Sequence, residues 1–101
     1  HEMGRGQTHT TQLPDLYLSG YQFSTIERRT MHSETAIKRY IQDFARVVLL
    51  HKKRFSVDQI RISTGFSHRL IGEYLKLSKQ HSSSIQLRRI LQSPKKRSLT
   101  S

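Results

Sequence analysis

At 101 residues the chain has room for one compact domain, or two very small ones sharing a core. No run in it approaches the roughly 18 apolar residues needed to span a bilayer, the 34% hydrophobic residues and mean hydropathy of -0.65 leave only a modest core, and the absence of cysteine excludes a disulfide framework and thiolate zinc. The 18 Lys+Arg against 7 Asp+Glu leave a net charge of +11 and a pI near 10.8, above the level of about 9 that marks nucleic-acid-binding domains, so the expected partner is a polyanion.

Residues 1–10 are polar and read as a flexible N-terminal segment. Thr11 to Ser19 is the first expected helix, with Pro14 in its first turn, Gly20 closing it, and Leu13, Leu16 and Tyr17 facing inward. It opens a unit spanning residues 11–53. A short helix after Gly20 carries Tyr21, Phe23 and Ile26, and Ser33 caps the next, whose inward stripe is Ala36, Ile37, Tyr40, Ile41 and Phe44. The stripe continues through Val47 and Val48, so residues 33 to about 52 form one long helix or two joined by a bend near Asp43. A second unit spans residues 54–78. There Ser56 and Gln59 fit a capping box, Val57 and Ile60 supply an apolar face, and Gly65 ends the helix in left-handed backbone. Ser67 caps a last helix with Leu70, Ile71, Tyr74 and Leu75 inward. Residues 79–101 form a basic tail with a short helix over 85–91, expected to be disordered from Pro94 onward.

The two units repeat each other. Shifted by 34 residues, 21–41 lie over 55–75: Ile26 meets Ile60, Thr30 meets Thr64, Ser33 meets Ser67, Ile37 meets Ile71 and Tyr40 meets Tyr74. These identities coincide with core spacing and with a helix cap, which points to duplication. Each unit reads as helix, tight turn, helix, and the turn Thr64 to Phe66 is short and holds a glycine. In the first unit Met31 and His32 replace Gly65 and Phe66, a less typical turn. The fold class is therefore all-α, a tandem helix-turn-helix sharing a long central helix.

With Ile37 inward, Thr35, Lys38, Arg39, Gln42 and Arg46 fall on the outer face of their helix. In a helix-turn-helix the second helix enters the major groove, so Arg39 and Gln42 are candidates to read bases. The matching face of the second unit carries Arg69, Gly72, Glu73 and Lys76. There Gly72 permits close backbone approach and Glu73 could accept from a cytosine amino group. Arg28 and Arg29, with Lys52, Lys53 and Arg54, suit backbone phosphates, as do Lys95, Lys96 and Arg97 of the tail.

No catalytic constellation accompanies these residues. The six histidines show no His-Glu-x-x-His pattern and read as surface or turn residues, and Gly4-Arg5-Gly6 is too short for a phosphate loop. The seven carboxylates are too scattered along the chain for a two-metal nuclease centre. The chain is read as no enzyme by itself, without metal or cofactor.

From Gly4 to Leu77 the chain resembles a prokaryotic domain-of-unknown-function family, the one numbered sixteen-seventy. The resemblance runs through 3–9, Gly20-Tyr21, 26–30, 32–34, 36–41, 47–51 and Glu73-Tyr74-Leu75. It implies a helix-turn-helix protein of bacteria or archaea and no particular activity. Members look longer at the N-terminus, and the chain begins at His1, so a fragment is expected. The expected function is recognition of double-stranded DNA, as a cytoplasmic transcriptional regulator, with a homodimer left open and no membrane partner. Two alternatives stay open: a DNA-targeting fragment of a transposase or recombinase, and a helical protein-interaction module.

Overall fold

Short polar residues decide where the helices start. Ser33, Ser56 and Ser67 each stand in extended backbone and accept from the amide three residues on, at Ala36, Gln59 and Leu70. At Ser56 the Gln59 side chain accepts from the Ser56 amide at 2.8 Å and completes the capping box. The computed structural model describes residues 9–99, with side chains for 10–92, and over them the chain is all-α. The elements are α1 (His9–Leu18), α2 (Phe23–Thr30), α3 (Glu34–Lys52), α4 (Val57–Thr64), α5 (His68–Gln80) and α6 (Ile85–Leu99).

The helix ends use left-handed backbone four times. Gly20 (φ 105) ends α1, with the Tyr21 amide donating to the Leu16 carbonyl and the Gly20 amide to the Tyr17 carbonyl. Arg54 (φ 74) does the same after α3: the Phe55 amide donates to Leu50 and the Arg54 amide to His51. Met31 (φ 64) and Gly65 (φ 82) end α2 and α4. Met31 is thus not an obstacle to a tight turn; its side chain is 87% exposed, and the strain of a left-handed non-glycine residue, about 1 kcal/mol, is absorbed by the packing on either side.

The bonds around the two turns recur 34 residues apart. The Thr30 hydroxyl donates to the Ile26 carbonyl and accepts from the His32 amide; the Thr64 hydroxyl donates to Ile60 and accepts from the Phe66 amide. The Met31 amide donates to Glu27 as the Gly65 amide donates to Arg61, each at 2.8 Å. Ile26, Ile60, Ile37 and Ile71 are all fully buried.

Helix α3 runs uninterrupted through Asp43 and feeds two apolar clusters. Ile37 and Ile41 join Leu13, Leu16 and Ile26; Phe44, Val47 and Val48 join Leu18, Ile60, Ile71, Tyr74, Leu77 and Leu87. Nineteen residues at about 1.5 Å each make a strut of roughly 28 Å that both clusters share. The Phe44 and Tyr74 rings meet edge to face with centroids 5.6 Å apart, joining α3 to α5. Between α1 and the turn after α5, His81 Nε2 lies 2.8 Å from Asp15 Oδ1 and the Ser84 hydroxyl donates to the Leu18 carbonyl at 3.0 Å.

Several local expectations are corrected. Helix α1 starts at His9, so Pro14 sits beyond the first turn; a proline there removes one ladder bond, and its ring is buried instead. Leu18 joins the buried residues of α1, while Tyr17, half buried, packs against both clusters and stacks on Phe23 at 5.3 Å. Val57 is 36% exposed, leaving Ile60 as the fully buried anchor of α4. His81 does lie in a turn, and there it is held in a polar pair with Asp15. Helix α6 continues to Leu99, past Pro94. The expected flexible segment lies outside the described residues except for His9 and Thr10, which begin α1.

Ile37 and Ile71 anchor different clusters, so Ile37→Ala and Ile71→Ala should each lower stability by about 2 to 5 kcal/mol. Thermal melts read this directly. Unchanged melts for either variant would contradict its place in the core.

Candidate nucleic-acid interface

Helix α3 presents its outer face because the inner one is occupied by six buried residues from Ile37 to Val48. Thr35, Lys38, Arg39, Gln42 and Arg46 are all exposed on it; Thr35, Arg39, Gln42 and Arg46, spaced by three, four or seven residues or more, align along the axis, and Lys38 stands beside Arg39. Lys38 Nζ makes an exposed pair with Glu34 at 3.2 Å and also lies 5.6 Å from the Phe23 ring centre. An exposed pair of this kind contributes little to stability, so Lys38 can exchange it for another anion.

Asp43 stands on the flank of this face, half buried. Burial raises its pKa, while the charges of Arg39 and Arg46 pull it down by less. The same carboxylate, with Tyr40 and Glu73, faces the Tyr74 phenol, whose pKa is raised chiefly by burial.

The face of α5 is less open than the sequence suggests. Arg69, Gly72 and Lys76 are exposed, but Glu73 is half buried and takes Arg69 Nε at 3.4 Å. Both line a shallow depression with Thr10, Ser67 and Leu70, so the start of α1 borders this face. Glu73 is therefore engaged within the fold. A Cβ at Gly72 would meet nothing within 4 Å, so internal packing does not require glycine there.

The expected phosphate contacts divide between two places. Arg28 and Arg29 are exposed in the last turn of α2, and the Arg29 guanidinium lies 5.0 Å from the Tyr21 ring centre. Lys52, Lys53 and Arg54 are exposed at the end of α3. Arg54 owes its position to the left-handed turn that stops the helix. The side chains of Lys95, Lys96 and Arg97 lie outside the described residues. What reasoning from sequence missed is a second basic cluster, Lys79 and Arg88 beside Lys52, formed when α6 folds back against α3. A cation early in α6, with no acid in its first turn, was the available signal.

Among the described residues no helix is long and apolar enough to cross a membrane, and no group of three His, Asp or Glu side chains is placed to hold a metal. Residues 1–77 match the family described as Protein of unknown function (DUF1670). No curated protein and no solved structure matches the chain.

Because burial raises the Asp43 pKa, the folded state favours its neutral form, and ionisation at higher pH works against folding. Asp43→Asn should therefore melt slightly higher than the parent at pH 7. The advantage should vanish as pH falls through the folded pKa of Asp43 toward its model value of 3.8. A gap between the two proteins that persists at pH 3 would show that the carboxylate charge is not its cause.

Proposed function

The chain belongs to the DUF1670 family, and we propose that it binds double-stranded DNA as a duplicated helix-turn-helix protein acting in transcriptional regulation. The observation that carries this reading is the outer face of α3, where Thr35, Lys38, Arg39, Gln42 and Arg46 stand exposed together on a helix reached through a tight turn. Arginine pairs with guanine through two parallel hydrogen bonds and glutamine pairs likewise with adenine, so this is a readable set for a major groove. The net charge of +11 supplies the long-range attraction.

In this reading α2 and α4 cross the backbone while α3 and α5 enter or border the groove. Arg28, Arg29, Lys53 and Arg54 hold phosphates. The second unit contributes through Arg69, Lys76 and the open backbone at Gly72, with Glu73 restraining Arg69 rather than reading a base. Catalysis and cofactors have no part in it, and a cytoplasmic location fits. The paired bonds around Thr30 and Thr64 support the duplication, since they repeat atom for atom at a shift of 34 residues.

Affinity for a duplex should fall steeply with salt, at about 0.9 ions released per phosphate neutralised, and a flat salt series would exclude the electrostatic part of the proposal.

Sites selected from a random duplex library then allow two substitutions to be compared. Arg39→Ala should lose about 1 to 3 kcal/mol of discrimination between selected and random duplexes. Gly72→Ala should raise thermal stability by up to about 1 kcal/mol, because alanine favours a helix, yet weaken DNA binding if the backbone approaches closely there. Full preference retained by Arg39→Ala would remove the α3 face from the interface. Failure of the library to yield any preferred site would favour a protein-interaction module instead.

A further inference from the structure

The second basic cluster faces away from the outer side of α3. Taking 100° per residue, Val48 and Lys52 project on the Ile37 side of the helix, roughly opposite Arg39 and Arg46. They form one wall of a cleft of ≈ 370 Å³; the end of α5 and the start of α6 form the others. Val48, Leu87 and Leu91 make it partly apolar, and Lys52, Lys79 and Arg88 supply three cations. No carboxylate lines it. The volume falls in the range of small-molecule sites, about 300 to 1,000 Å³.

Two of the cations have an ordinary explanation. Lys52 and Lys79 lie in the last turns of α3 and α5, where positive charge compensates the helix dipole. Arg88 does not. It stands near the beginning of α6, the positive end of its own helix, with no acid in that first turn. Three carbonyls at the end of α3 are also already engaged: Leu49, Leu50 and His51 accept from the amides of Lys53, Arg54 and Phe55. Three cations beside an apolar wall, one of them at an unfavourable helix end, make a place where a negative group gains from every neighbour.

We propose that this cleft is a site for a small organic phosphate monoester, its phosphate among Lys52, Lys79 and Arg88 and its apolar body against Val48, Leu87 and Leu91. A phosphate monoester carries about -1.5 to -2 at neutral pH and three acceptor oxygens, a closer match to three cations than a carboxylate offers. Arg88 binds it as a planar fork, and the two lysines act as point charges. Occupancy joins α6 to the ends of α3 and α5. The site is independent of DNA binding by the opposite side of α3, and either can fail without the other.

Phenyl phosphate, inorganic phosphate and phenol, each titrated into the full chain at constant ionic strength, test this by amide chemical shifts. Phenyl phosphate should shift Lys52, Lys79 and Leu87 saturably and bind at least several-fold more tightly than either fragment. Arg88→Gln, an exposed substitution, should weaken it by about tenfold or more, the usual effect of losing a charged hydrogen bond. Arg61→Gln removes the same charge from exposed α4 and should change binding less than twofold. Equal affinity for inorganic phosphate, equal weakening by both variants, or no saturable shift would overturn the proposal. So would a short DNA duplex that shifts these amides and is not displaced by phenyl phosphate, since the cleft would then belong to the nucleic-acid backbone.

Discussion

Everything in this fold depends on the burial of α3 along two adjacent apolar strips. A chain this small cannot maintain two separate cores, because too little surface is removed from water in each. Helix α3 resolves that by sharing: Ile37 and Ile41 complete the cluster with α1 and α2, while Phe44, Val47 and Val48 complete the one with α4, α5 and α6. Each half then relies on the same rigid strut, and its outer side is left free because the inner side is fully used. The exposed row from Thr35 to Arg46 is a by-product of that geometry.

The smaller devices serve the same strut. Ser33 caps the strut itself and Ser56 and Ser67 start the helices α4 and α5 that pack on it, while the left-handed residues at 20, 31, 54 and 65 let the chain reverse within a few residues. At Met31 and Arg54 a residue with a side chain accepts that backbone, a cost borne by the buried neighbours on both sides. The His81 and Asp15 pair, with Ser84 on Leu18, ties α1 to the turn between α5 and α6 across 66 residues. Through it the first helix and the last become parts of one body.

Charge is distributed around this body in two ways. The side of α3 turned to solvent carries long flexible cations with few internal partners, which suits a partner with regularly spaced negative charge. The opposite side gathers Lys52, Lys79 and Arg88 into a concave place with an apolar lining, which suits a compact anion. The first arrangement follows from helix periodicity alone. The second requires α6 to return across the ends of α3 and α5.

That difference marks what the sequence by itself determined. Helix class, the caps at Ser33, Ser56 and Ser67, the 34-residue recurrence and the inward set Ile26, Ile37, Ile60 and Ile71 follow from local rules of periodicity and capping, so they were legible without coordinates. The outer row of α3 was legible for the same reason, being the complement of the inward stripe. Tertiary packing decided the rest. Leu18 is buried while Tyr17 sits half buried against both clusters, Glu73 is drawn toward Arg69 in a depression bordered by the start of α1, and the basic cleft exists because the end of α3 meets the distant junction of α5 and α6. Contacts of that kind depend on how the helices pack against one another, and no helical period along a single chain encodes them.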